Sequence, residues 1–358
     1  MSQLAPEPVV AELDPIRAAA AHAELQRLWA RGCEFLGTDI AILGGGMTWV
    51  SERNLVAAIS NAGGFGVIAC GSMEPDRLAV EIEATFALTK KPFGVNLITM
   101  HPALDALIDV CAQMKVGHVV LAGGLPPSSA VRRIKDSGAK AVCVAPARGL
   151  AKKLIRIGAD ALVIEGMEAG GHTGPVTTSV LAQEILPVVH EVPVFVAGGI
   201  GRGEAIVSYL EMGAAGVQLG TRFVCATESI AHANFKKAFI RAEARDATLS
   251  VQLDPRFPVI PVRAIGNAGT RRFTDIQREV IAKVDQGLLD QKAAQLEIEH
   301  FWAGALRRAV IDGDVENGSL MAGQSVGLVR SEQPVAEILA ELIAQAEAAL
   351  NRRREARR

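Results

Sequence analysis

The fold class this sequence predicts is α/β, a TIM-type (β/α)8 barrel with a mainly helical insertion after its eighth strand, and three observations predict it. Short apolar or β-branched runs recur eight times along the chain, most end in Gly-rich turns, and each is followed by a helical pattern. That order makes parallel strands with helices outside, because a parallel neighbour can be reached only by a crossover. The runs start about 20 to 33 residues apart, the length of one βα unit, and eight similar units favour closure over an open doubly wound sheet.

In order, the strands are DIAILGGG from Asp39, FGVIACG from Phe65, FGVNLI from Phe93, GHVVLAGG from Gly117, KAVCVAP from Lys140, ADALVIEG from Ala159, VPVFVAGG from Val192 and AAGVQLGTRF from Ala214. Four parts are expected: a helical extension over 1–38 closing the barrel's base, the barrel over 39–227, an inserted helical domain over 228–318, and a segment over 319–358 whose last helix, Val335 to Leu350, packs back on the barrel. In the insertion, Pro255, Pro258 and Pro261 break regular structure, and a helical stretch runs from about Asp275 to Val310. The closing NRRREARR reads as a solvated, fraying helix end.

The 358 residues are 49% hydrophobic, with 37 Lys and Arg against 39 Asp and Glu, so a large core can form and no basic field recruits nucleic acid. No secretory leader and no apolar run long enough for a bilayer is visible, so a cytoplasmic, membrane-free protein is expected. Cys33, Cys70, Cys111, Cys143 and Cys225 are far apart and lack metal-site spacing, so no metal is expected, and three of them lie in apolar runs, which predicts buried thiols there.

In a barrel, function collects where the strands end. The seventh strand ends AGGIGRGEA and the eighth QLGTRF, the loop pair that commonly holds a phosphate on backbone N–H groups. Gly198, Gly199, Gly220 and Thr221 are therefore the expected cradle. GGIGRG lacks GxGxxG spacing, so no resident dinucleotide is expected. After the first strand, Gly45 and Gly46 bring backbone close to a flat ligand and Met47 offers a polarizable surface, or the segment is only a turn. Asn96 ends the third strand, where its amide suits a heterocycle edge or caps a turn.

The sixth strand runs into EGMEAGGHTGP. His172 lies among Gly170, Gly171 and Gly174, off any regular element, and faces the mouth as a general acid or base or a donor to a carbonyl. Glu165 and Glu168 orient this loop, bind a sugar hydroxyl, or form surface ion pairs. The histidines at 22, 101, 118, 190, 232 and 300 are expected to be structural or exposed.

GGGMTWV, KPFGVNL, IGADALVIEGMEAGGHTG, VPVFVAGGI, GAAGVQLGTRF and GSLMAGQSVGLV resemble the flavin-dependent nitronate monooxygenase superfamily, formerly the 2-nitropropane dioxygenases. Trp49 after GGM, the EGMEAGGH loop, ATESIAH and GDVENGSLMAGQ are most similar to its enoyl-acyl carrier protein reductase II branch. The resemblance implies an FMN-binding barrel. Met47 and Asn96 would contact the flavin ring, Gly198, Gly199, Gly220 and Thr221 its phosphate, and Gln218, Gly323 and Gln324 its surroundings, with His172 catalytic. It also implies NADH or NADPH as a transient reductant, an enoyl thioester on acyl carrier protein or a small molecule as second substrate, and a homodimer. Nitronate oxidation by oxygen and NAD(P)H:quinone reduction demand the same barrel; a non-redox phosphosugar enzyme is the reading from another class. About 35 N-terminal residues lie outside the shared pattern.

Overall fold

A computed structural model of the protein describes residues 15–256 and 261–356. The first 14 residues of the predicted extension, Pro258 and the last two arginines lie outside the described residues.

Eight parallel strands form the centre: β1 (Ile42–Gly44), β2 (Gly66–Ala69), β3 (Phe93–Ile98), β4 (His118–Ala122), β5 (Lys140–Ala145), β6 (Ala161–Glu165), β8 (Val194–Ala197) and β9 (Gly216–Leu219). Their order is β1-β9-β8-β6-β5-β4-β3-β2. The gap between β1 and β2 is closed by a parallel bridge of Leu43 with Phe65, through Phe65 N–H to Ile42 O at 2.9 Å and Gly44 N–H to Phe65 O at 2.9 Å. The sheet is thus a TIM barrel, as predicted, with shorter strands than the apolar runs suggest: the Gly-rich ends turn away from the ladder, and Thr221–Val224 forms the short helix α9.

Alternation along each strand sorts the core. Leu43, Val67, Val120, Val142, Ala161, Val163, Phe195 and Ala197 fill the barrel interior. Ile42, Ile68, Val119, Leu121, Leu162, Ile164, Val196 and Val217 face the surrounding helices. Those helices are α2 (Arg53–Asn61), α3 (Pro75–Leu88), α4 (Leu104–Gln113), α5 (Ser128–Asp136), α6 (Arg148–Arg156), α7 (Thr178–Ile185) and α8 (Gly203–Glu211).

Ahead of the barrel, α1 (Pro15–Leu36) ends in Phe35 and Leu36, which plug the interior from below. The Phe35 carbonyl accepts from His118 Nε2 at 3.0 Å and Lys140 Nζ at 2.6 Å, so two polar groups of the buried base are satisfied. After α9 come α10 (Ala233–Arg241), β10 (Ala247–Leu249), β11 (Val262–Ile265), α11 (Ala268–Asp285) and α12 (Gln291–Val310). The single helical stretch expected here is two helices, and the insertion carries strands as well. Its own small core holds Val262, Phe273, Val280, Ala294 and Ile298.

The last helix, α13 (Val335–Ala356), packs on α8 and α1. It outruns its predicted end, and Arg352, Arg354, Glu355 and Ala356 stay exposed, as a solvated helix end does, although two of its arginines also meet α8. Arg353 pairs with Glu211 and donates to Ser208 Oγ at 3.0 Å, while Arg352 meets Glu204 at 3.4 Å. Cys70, Cys111, Cys143 and Cys225 are buried, and burial pushes each thiol up to about 12. No helix among the described residues is long and apolar enough to cross a membrane.

Candidate active site

The top of the barrel interior changes character. Register places Val120 beside Asn96, Val163 beside Phe195, Glu165 beside Ala197, and Ala197 beside Gln218. Directly paired residues of a parallel sheet share a face, so Asn96, Glu165 and Gln218 continue the inward stripe at the mouth. None of these three side chains has a hydrogen-bond partner in the chain among the described residues. Asn96 is 6% exposed, and its side chain bonds to no turn N–H among the described residues, so it does not cap the next turn. Burial pushes the Glu165 carboxyl up to about 7.

The first loop folds over this ring. Ser51 Oγ donates to Gly45 O at 2.7 Å and accepts from Met47 N–H at 3.0 Å. A Cβ on Gly46 would stand 2.7 Å from the Asn96 Cβ, so glycine is required there by contact. Met47 reaches across to the eighth loop, where a Cβ on Gly220 would lie 3.4 Å from its sulfur. Trp49 holds a left-handed backbone, φ 69°, with Arg307 of α12 over its ring at 5.8 Å. Strain of this kind persists only where surrounding structure enforces it.

The seventh and eighth loops meet beside Gly323. Its N–H donates to Thr221 Oγ1 at 2.9 Å, and Gln324 N–H donates to Glu168 O at 2.9 Å. Gly198 and Gly199 have φ of 102° and 71°. A Cβ on Gly198 would strike Thr178 Oγ1 at 2.8 Å, so packing alone demands that glycine. The N–H groups of Gly199 and Gly220 reach no acceptor in the chain among the described residues, which leaves two donors for an anion.

His172 is not on a free loop. Gly171–His172 form a two-residue strand, β7, paired antiparallel with β11, so that β10, β11 and β7 make a second sheet. Val262 faces His172 and Arg263 faces Gly171 in register. Thr173 N–H donates to Pro261 O at 2.9 Å, extending the pairing. The glycines allow the chain to turn sharply into this strand: Gly171 has φ 75°, and a Cβ on Gly170 would lie 2.6 Å from the Ala322 carbonyl carbon. His172 stays exposed, with the insertion behind it.

Glu168 proves structural. Its Oε2 accepts from Thr178 N–H and Oγ1, each at 2.7 Å, capping α7. His101 and His232 cap helix starts through Nδ1, and His22 pairs with Glu347 at 2.8 Å. Thus the mouth gathers Gly45, Gly46, Met47, Asn96, Glu165, Gln218 and Gly220, and Gly198, Gly199, Thr221, Gly323 and Gln324 lie around the adjoining loops beside Gly171 and His172. Sequence reading missed Arg263 and Met321, whose sulfur would lie 3.5 Å from a Cβ on Gly171. The alternation in PVRAI is the one local signal for Arg263, since it marks a strand with an arginine on one face.

Such a mouth, polar and unsatisfied above an apolar barrel interior, defines an α/β-barrel protein built to hold a ligand at the strand ends. A family model for nitronate monooxygenase matches residues 31–107 and 104–345, and the chain belongs to that family, an oxidoreductase family. It is 30% identical to "(3aS,4S,5R,7aS)-5-hydroxy-7a-methyl-1-oxo-octahydro-1H-indene-4-carboxyl-CoA dehydrogenase" of Mycobacterium tuberculosis, over 87% of this chain and 94% of the relative. The structure of FabK from Thermotoga maritima superposes with a TM-score of 0.81 at 36% identity, covering 91% of this chain and 98% of FabK. The nitroalkane oxidase of Streptomyces ansochromogenes gives a TM-score of 0.74 at 26% identity, covering 90% and 98%.

Proposed function

We propose that the chain is an FMN-dependent oxidoreductase that reduces the carbon–carbon double bond of an enoyl thioester, carried on acyl carrier protein, at the expense of NADH or NADPH. The observation that carries the reading is the placement of His172: exposed, paired with the insertion, and on the loop that leaves β6 just after Glu165, one of the three inward polar side chains at the mouth. The likeness to FabK, an enoyl-acyl carrier protein reductase II, and the CoA thioester in the name of the mycobacterial relative support a thioester as the acceptor. A cytoplasmic setting, with its supply of reduced nicotinamide, suits it.

The residues fit FMN. The unpartnered amides of Asn96 and Gln218 offer both donors and acceptors to the edge of a heterocycle, and Met47 offers a soft surface to its face. The open N–H groups of Gly199 and Gly220, with Thr221, suit the phosphate. Gly323 and Gln324 line the adjoining segment. When bound, FMN supplies two-electron chemistry, taking a hydride equivalent from nicotinamide and returning it to the acceptor. His172 donates a hydrogen bond to the thioester carbonyl oxygen, where negative charge grows as the β-carbon takes the hydride, and a proton from solvent at the α-carbon completes the reduction.

Anaerobic mixing tests this. NADH or NADPH should bleach the visible flavin band, and an enoyl thioester should restore it. If neither nucleotide bleaches the band and a nitronate does, the reading fails. Nitronate oxidation with oxygen as electron acceptor is the second reading, favoured by the family model; there His172 takes the α-proton when a nitroalkane is the substrate, or positions a nitronate that has already lost it.

A further inference from the structure

Arg263 is an oddity of burial. It is 5% exposed, and among the described residues its guanidinium serves only carbonyl oxygens: Nε donates to Met167 O at 2.9 Å and Nη1 to Ala247 O at 2.5 Å. It forms no ion pair among the described residues. Burial pushes its pKa down, opposed by the charge of Glu168. A buried guanidinium without a carboxylate contact is costly, and an apolar residue on β11 would avoid the cost. What the arginine does that an apolar residue cannot is join three segments. Met167 is in the loop leaving β6, Ala247 is in β10, and Arg263 sits on β11 opposite Gly171, the residue before His172.

We infer that Arg263 is a positioning residue, which locks the strand carrying His172 onto the insertion so that the insertion, rather than the barrel, sets where the imidazole stands. The ladder from Val262 to His172 and the bond from Thr173 N–H to Pro261 O tie the strand to β11 along one edge. Two residues of pairing are too few to hold register alone. The guanidinium completes the clasp from the other side of the loop, at Met167. Its planar fork reaches two acceptors at once; a lysine at the same place keeps the charge but reaches them less well.

The inference rests on the proposed role of His172 toward the second substrate, and its test separates the two. In FMN-loaded enzyme, Arg263→Gln should keep flavin content and the rate of bleaching by nicotinamide within about twofold. Its kcat toward the second substrate should fall about 100-fold with a much smaller change in KM, the loss expected of a group displaced by about 1 Å. Arg263→Lys should recover part of that loss. Hydrogen exchange of the unmutated holoenzyme gives a check that needs no variant: the amide of Thr173 should open together with those of residues 262–265. Independent opening of the two segments would overturn the inference. So would an Arg263→Gln enzyme whose kcat loss merely tracks loss of flavin and that lysine does not rescue. If nicotinamide fails to bleach the flavin while the two segments still open together, the reductase reading fails and the clasp stands.

Discussion

The two ends of the barrel interior are built from the same strands and treat polar groups in opposite ways. At the base, His118 and Lys140 both donate to Phe35 O, and the residues around them close the site. At the mouth, Asn96, Glu165 and Gln218 point inward with no partner in the chain among the described residues. Buried polar groups that serve the fold are satisfied within it. Those at the mouth are held ready for something else, and that contrast separates architecture from chemistry more sharply than residue type does.

The strongest way to break the contrast is His172→Ala. Turnover of the second substrate should fall by about 10²- to 10⁴-fold while the protein keeps its FMN, measured by steady-state kinetics and flavin absorbance. A colourless mutant would show that His172 belongs to the fold. Next come two glycines. Gly46→Ala would put a Cβ 2.7 Å from that of Asn96 and should weaken FMN binding by about tenfold or more with little loss of stability. Gly32→Ala at the base would put one 2.0 Å from Ala215 O and should do the reverse, lowering stability by about 1–3 kcal/mol in denaturant titration with flavin affinity unchanged.

The smallest effects concern pH, and the two ends oppose each other. Burial pulls His118 down to about 4, so between about 6.5 and 4 the unfolded chain binds the proton and the folded chain does not; this end loses stability on acidification. Burial pushes Glu165 up to about 7, so between about 4.5 and 7 the folded chain holds the proton; the mouth loses stability as pH rises. Each slope is at most about 1.4 kcal/mol per pH unit. Glu165→Gln should remove the fall toward pH 7, and His118→Gln the fall toward pH 4, in unfolding midpoints taken across that range. Identical pH profiles for wild type and Glu165→Gln would place that carboxyl in water.

What was legible in the sequence follows physical range. The eight barrel strands could be read because each alternates between two apolar surfaces and ends in a turn, all within a few residues. The glycines and Asn96 could be placed because strand ends define the mouth. β7, β10 and β11 could not: two to four residues carry no usable period, and their partners lie far along the chain. For the same reason His172 was expected on a free loop, and Arg263, whose acceptors are 96 and 16 residues away, went unremarked. The docking of Arg352 and Arg353 on α8 is equally non-local.

The second sheet also bears on how such enzymes diversify. A barrel loop and an insertion that share one ladder cannot vary independently. Lengthening the segment before β11 by a single residue would flip which side of the sheet each of its side chains faces, exchanging the places of Val262 and Arg263 opposite β7. New segments can be grafted onto α11 and α12, but transplants between relatives should succeed only when the graft junctions preserve the phase of that strand.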